Sequence, residues 1–219
     1  MSNRQDRDLR RDVLDELDWD PEVDATKIGV TAADGVVTLT GIVRSFTDRW
    51  MAEKIAKRVG GVAGIANELH VALVDEDRRD DTDIAISALN ALEWNSRVPK
   101  EHVQVMVREG WIQVEGEVEW EFQRRAAEDA VRWLRGVRGV TNAIVVNPHV
   151  SASDVKQKIE TAIRRNAELD ANTIHVETAD TTVTLTGKVR SFAEREDAVH
   201  AAWSAPGVTR VIDHIAIAA

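Results

Sequence analysis

Apolar positions along this chain follow two rhythms, and the succession of rhythms is played three times. A helical spacing of i, i+4, i+8 runs through Leu9, Val13 and Leu17, then Ile84, Ala88 and Leu92, then Val155, Ile159 and Ile163. Alternating pairs follow at Ile28/Val30, Val103/Val105 and Ile174/Val176. Longer alternations come next, through Val37/Leu39/Gly41/Val43, Ile112/Val114/Gly116/Val118 and Val183/Leu185/Gly187/Val189. A period of two turns one side of a strand to a core. Asp34-Gly35 and Glu109-Gly110 predict tight hairpin turns between the two strands, with Asp180-Thr181 a less ideal third. A second helical stripe carries Ala52/Ile55/Ala56/Val59, Ala127/Ala130/Val131/Leu134 and Ala198/Ala201/Ala202/Ala205. Last come Leu69/Val71, Ile144/Val146 and Ile215/Ile217, which read as a third strand.

Glycines keep the three copies in register. Gly41, Gly116 and Gly187 each end an alternating run, and Gly61, Gly136 and Gly207 follow twenty residues later. Six residues beyond stands Asn67, Asn142 or Asp213. The array is therefore one small unit repeated, and its function belongs to surfaces that such a unit can present. The expected fold class is α+β: three tandem αββαβ modules, each a small three-stranded mixed sheet with two helices on one face. The modules are bounded at 1–76, 77–148 and 149–219. The β-α-β step of each predicts a right-handed crossover. Gly61, Gly136 and Gly207 suit a left-handed helix exit. The alanine stripes opposite Gly41, Gly116 and Gly187 predict a close approach of helix to sheet. Asp6, Asp81 or Asp83, and Ser153 are the expected caps of the first helices, and Ser45 and Ser191 those of the second.

These motifs are recognisable as a set. Thr40-Gly41-Ile42-Val43-Arg44-Ser45-Phe46 and Thr186-Gly187-Lys188-Val189-Arg190-Ser191-Phe192, the glycine twenty residues on, and the strand bearing Asn or Asp resemble the BON domain. That is the module of osmotically inducible protein Y-like and nodulation-associated bacterial proteins. Copy two departs from the pattern with Glu119-Trp120-Glu121. The resemblance implies the αββαβ fold, an association with osmotic or envelope stress, and a binding role toward phospholipid, envelope polymer or protein.

Composition narrows the chemistry. The chain has 219 residues, no cysteine and a formal net charge of −10. Disulfides and thiolate metal sites are therefore ruled out by composition. Acidity spread over all three repeats opposes nucleic-acid binding, which draws on neutralised phosphates. No apolar run is long enough to span a bilayer, and the charged start offers no signal-peptide core, so the expected location is cytoplasmic with no integral membrane segment. The six histidines show no helical pairing of the zinc type, and no cofactor or metal is expected. Gly60-Gly61-Val62-Ala63-Gly64 follows a helix rather than a strand, which fails the context of a dinucleotide loop. Glu115, Glu117, Glu119 and Glu121 alternate along copy two, but Thr40/Ile42/Arg44 hold the same places in copy one, which marks a solvent face rather than a glycosidase pair. No catalytic residue is assigned.

The second helix of copy two, near Glu121 to Arg135, is the chosen binding surface. A 100° projection sets Arg125, Arg132 and Arg135 on one exposed flank, and Phe122, Ala126 and Trp133 on the other. An apolar flank beside a basic one fits an anionic interface or a partner protein. The alternative is that Phe122 and Trp133 pack on a neighbouring repeat. Trp19 and Trp94 are expected in the core or at its rim, and Trp111 exposed at a hairpin tip. The leading functional expectation is a non-catalytic, stress-associated protein making weak multivalent contact with phospholipid or envelope-like surfaces. The alternative is a cytoplasmic protein-interaction or chaperone-like factor.

Overall fold

A computed structural model describes residues 2–73, 77–148, 159–162 and 173–217. The chain separates into two compact units, one of residues 1–41, 50–69 and 150–219, the other of residues 42–49 and 70–149. Module one holds helix α1 (Ser2–Trp19), strands β1 (Ile28–Ala33) and β2 (Val36–Val43), helix α2 (Phe46–Arg58) and strand β3 (Gly64–Val71). Module two repeats the order as α3 (Asp81–Trp94), β4 (Val103–Arg108), β5 (Trp111–Val118), α4 (Glu121–Arg132) and β6 (Gly139–Val146). Module three shows β7 (Ile174–Ala179), β8 (Thr182–Val189), α5 (Phe192–Trp203) and β9 (Arg210–Ile217). Of its first helix only residues 159–162 are described, with Ile159 buried. Val155, Ile163 and the cap Ser153 lie outside the described residues. None of the described helices is long and apolar enough to cross a membrane.

Each sheet has three strands with the long central one in the middle. In module two β5 pairs antiparallel with β4 and parallel with β6, so Val114 lies between Val105 and Asn142. Module three keeps the same register, with Leu185 between Val176 and Asp213. The alternation expected from the sequence is what is buried: Val37, Leu39 and Val43, then Ile112, Val114 and Val118, then Val183, Leu185 and Val189. The helical stripes Leu9/Val13/Leu17 and Ile84/Ala88/Leu92 are buried as well. In module two, α3 and α4 pack on each other and on the sheet.

The hairpin turn carries a clamp that the sequence reading missed. Asp81 is not the cap of α3; Asp80 is, accepting from the Asp83 amide at 2.7 Å. Asp81 instead accepts the amides of Glu109 and Gly110, each at 2.8 Å, one on each carboxylate oxygen. Asp6 does the same work in module one, accepting from Gly35 at 3.2 Å. The turn carbonyl then receives the entering third strand: Gly35 from Ala63 at 2.8 Å, Gly110 from Arg138 at 2.9 Å, Thr181 from Thr209 at 2.9 Å. First helix, hairpin and third strand thus meet at one end of the module.

The strand glycines also have a different reason from the one expected. A Cβ on Gly116 would lie inside the carbonyl of His102, at the start of the neighbouring strand, and Gly116 has φ of 138°. Gly41 and Gly187 face the carbonyls of Lys27 and Thr173 in the same way. The tight approach is strand to strand, not helix to sheet. The second glycines do exit their helices left-handed, with φ of 85°, 86° and 86° at Gly61, Gly136 and Gly207.

The signature Asn or Asp ties the third strand to the second helix. Asn142 accepts the Ile144 amide at 3.2 Å, and donates to the Arg124 carbonyl at 2.9 Å and to Glu128 at 3.2 Å. Asn67 repeats this with Leu69 and Glu53. In module three Asp213 accepts the Ile215 amide at 2.9 Å and takes Arg195 at 2.7 Å as its helix partner. The polarity of the tie is exchanged and its helix partner lies one turn earlier, while the bond to the amide two residues on is kept.

Candidate functional site

Helix α4 is shorter than expected, and this breaks up the projected flank. It ends at Arg132, with Trp133 as its C-cap, so Arg135 lies beyond the helix and its place on a wheel has no meaning. Arg132 is only 8% exposed and pairs with Glu128 at 2.5 Å and Asp129 at 3.0 Å. Ala126, assigned to the outer apolar flank, is buried. The surface proposed from sequence therefore divides between the two ends of the helix, which a rise of about 1.5 Å per residue sets about 16 Å apart.

One end gathers Trp133 and Arg135 near the hairpin. Arg135 approaches Asp77 at 3.9 Å, and Arg132 lies 6.0 Å from the Trp133 ring. A cavity of 440 Å³ here is lined by Arg78, Arg79 and Arg138 together with Asp80, Asp81 and Glu109. The matching cavity of module one, 480 Å³, is lined by Asp6, Asp8, Asp12 and Asp34 and by no arginine. Trp111 is exposed at this end, as expected, and its indole N–H donates to the Thr141 hydroxyl at 2.8 Å.

The other end holds Phe122 and Arg125, and it contains residues the sequence reading undervalued. Trp94 closes α3 and is 87% exposed; Trp19 closes α1 and is 85% exposed. Neither belongs to a core or rim, a correction to the expectation drawn from their place at the end of an amphipathic helix. The helix simply ends before its last residue can turn inward. Next to Trp94, Asn95 donates its side-chain amide to the Ala126 carbonyl of α4 at 3.3 Å and accepts the Arg97 amide at 3.1 Å. Arg97 then lies over the ring of Phe122, 5.4 Å from its centroid. Arg97 and Phe122 are thereby held together at one corner of the module, where α3 ends in the exposed Trp94. An arginine on an aromatic face is held electrostatically by the ring while its outer edge stays open to solvent.

Glu121 explains why Phe122 is exposed. It occupies the place of Phe46 and Phe192 in the other modules, and is only 6% exposed. Its Oε1 accepts from Arg124 at 2.9 Å and from Arg125 at 3.3 Å. An ion-paired carboxylate has replaced an aromatic residue, and the aromatic residue has moved one position outward. The start of α4 also departs from a serine cap. Ser45 and Ser191 accept the amides of Asp48 and Glu194, whereas the Trp120 amide donates to Gln123.

Helix α3 adds a second apolar feature. Ile86 and Leu89 are both exposed, Ile86 opposite the core residues Ile84, Ala88 and Leu92 and Leu89 on the flank beside them. The corresponding positions of α1 are Arg11 and Leu14, and Arg11 pairs with Asp8 and Asp12. Only the middle module of these two has a first helix with this outer pair. Nearby, Lys100 holds the Glu93 carboxyl below its ordinary range, first by a hydrogen bond and then by its charge.

Known proteins bear out the modular reading. A BON domain family model matches residues 5–72, 80–148 and 151–219. Osmotically-inducible protein Y of Escherichia coli (strain K12) is 32% identical over 124 residues, covering 55% of this chain and 62% of that protein, so less than two thirds of the relative is spanned. Among solved structures, CdsD, a structural protein of the type III secretion system of Chlamydia trachomatis, aligns over 96% of this chain and 92% of its own at 16% identity, with a TM-score of 0.27. The PrgH periplasmic domain aligns over 88% and 95% at 10% identity, with a TM-score of 0.22. Scores this low support no argument. The three matched segments cover nearly the whole sequence and coincide with three copies of one α+β unit: the chain belongs to the BON domain family, as a tandem array of three domains.

Proposed function

We propose that this protein is a non-catalytic, osmotic-stress-associated binding protein whose middle module docks on a phospholipid surface. The similarity to an osmotically inducible protein supports the stress association. The observation that carries the docking role is the exposure of Ile86, Leu89 and Trp94 on a single helix, with Phe122 beside its end. Apolar side chains left outside a folded module call for a cover. Tryptophan at the end of a helix suits the boundary between headgroup and acyl chain. The sites named from sequence contribute unequally to this reading. Phe122 and Arg125 lie at the docking corner, Arg132 supports α4 from within, and Trp133 and Arg135 belong to the opposite end.

Co-sedimentation of the full chain with phosphatidylcholine vesicles, with and without phosphatidylglycerol, tests the reading. Binding should occur and should fall when Leu89→Ser and Trp94→Ala are combined, with the folded state retained. Absence of binding to every vesicle, together with suppression of client aggregation by the same face, would favour a chaperone-like role.

A further inference from the structure

The cavities at the hairpin ends of modules one and two are built alike and lined differently, and the difference starts from what lies over two glycines. In module two a Cβ on Gly136 would meet the Cβ of Arg79 at 2.8 Å, and one on Gly110 would meet the Cγ of Arg138 at 3.2 Å. The stems of these arginines therefore lie across the two glycines. Arg79 comes from the segment before α3, and Arg138 from the segment entering β6. In module one Ala63 takes the place of Arg138, and in module three Thr209 does. The cavity of module one is accordingly walled by Asp6, Asp8, Asp12 and Asp34.

From this contrast we infer that the hairpin-end cavity of module two binds a soluble, multiply charged phosphate compound, held between Arg138 and Arg79. The site is separate from the docking corner, since the 14 residues of α3 set its two ends about 20 Å apart. A cavity of 440 Å³ falls in the size range of small-molecule sites. Arg138 donates its amide to the Gly110 carbonyl, and its guanidinium has no carboxylate partner among the described residues. Arg79 donates to the Arg78 carbonyl at 2.7 Å, which anchors it on its own segment. Most acids of the wall are turned toward backbone. Asp81 holds the two turn amides with its two oxygens, and Asp80 accepts the Asp83 amide. Glu109 is the exposed exception. A guanidinium fork meets a phosphate edge with two parallel hydrogen bonds. Forks arriving from two segments suit an anion whose oxygens point several ways, as on a diphosphate, better than a planar carboxylate with one edge. The net charge of −10 repels every anion at long range, so affinity here depends on these close bonds.

Isothermal titration calorimetry of the full chain with inorganic pyrophosphate, at low ionic strength and without lipid, tests the assignment. The parent protein should bind it, and acetate should not compete. Arg138→Gln and Arg79→Gln should each weaken binding by about tenfold, as the loss of a charge-assisted hydrogen bond does. Glu109→Gln removes a repelling carboxylate and should tighten binding. No binding by the parent, or binding unchanged in both arginine variants, would overturn the assignment. Loss of vesicle partition in Arg138→Gln with pyrophosphate binding intact would overturn it too, by moving the arginine to a membrane-facing surface. A parent that binds pyrophosphate and no vesicle upholds this site while the docking reading fails. Both arginines are exposed, and glutamine keeps part of each stem over its glycine, so the variants retain the fold, which their unfolding midpoints would verify.

Discussion

Asn142 donates to Glu128 across the gap between β6 and α4, and the same side chain holds the Ile144 amide in its own strand. One residue thus sets both the local turn of the strand and the distance of the helix from the sheet. Truncation to alanine would leave the Arg124 carbonyl and the Ile144 amide without their partner, at a cost of about 1–3 kcal/mol. Asn142→Asp should also destabilise, because the new carboxylate would face Glu128 and lose both donated bonds, while Arg124, at the place of Arg195, is paired with Glu121. Urea unfolding midpoints of the two variants would check both.

Gly116 should tolerate no side chain. A methyl group there meets the His102 carbonyl in the adjacent strand, and the backbone has φ of 138°. Gly116→Ala is expected to cost more than about 3 kcal/mol, well above the common run of point mutations. A mutation of equal size at the exposed Ala143 of the same sheet should stay within about 0.5 kcal/mol. Equal unfolding midpoints for the two would refute the close strand approach as the reason for the glycine.

Glu121 replaces an aromatic residue, so restoring the aromatic should be tolerated. Buried ion pairs exchanged for apolar residues are often neutral or more stable. Glu121→Phe is expected to hold or raise the Tm. Arg124→Ala with Arg125→Ala leaves the carboxylate buried without cations and should lower the Tm. Calorimetry on both variants gives the sign of each effect.

Glu93 and Lys100 form an exposed pair whose effect is on titration rather than on stability. The lysine holds the Glu93 carboxyl below its ordinary range. Any stability linked to it is present above the unfolded pKa and lost as pH falls through the lower folded value. Carbon-detected NMR titration should show Glu93 ionising below the ordinary carboxylate range. Lys100→Ala should return it to the ordinary range.

Much of the fold was legible because burial and periodicity agree. The runs through Leu39, Val114 and Leu185 alternate as one-sided strands must, and the glycines keep the copies in register. The binding surface was less legible, because a helical wheel assumes where a helix ends. Arg135 was projected onto a helix that stops at Arg132, and Arg132 proved to be held by two carboxylates of its own helix. Trp94 was misjudged by its type: large apolar residues are usually covered, and only the placement of a helix end reveals the exception. Sequence did hold one signal for Arg97, the exchange of Glu22 for Arg97 after an aligned tryptophan, but its support on Phe122 is a contact between segments distant in the chain. Asp81 offered no such signal, since an acid at a helix start reads as a cap whether or not a hairpin lies within its reach.

The carboxylate of Asp81 gives the middle module a mechanical property. Because both its oxygens hold amides of the β4–β5 turn, α3 cannot lift from the sheet while the turn stays intact. Release of the helix and fraying of the turn become one event, so the protection of the Glu109 and Gly110 amides against exchange is a gauge of helix attachment. A surface that engages α3 from outside would register at the far end of the same helix, as slower exchange at two amides it never touches.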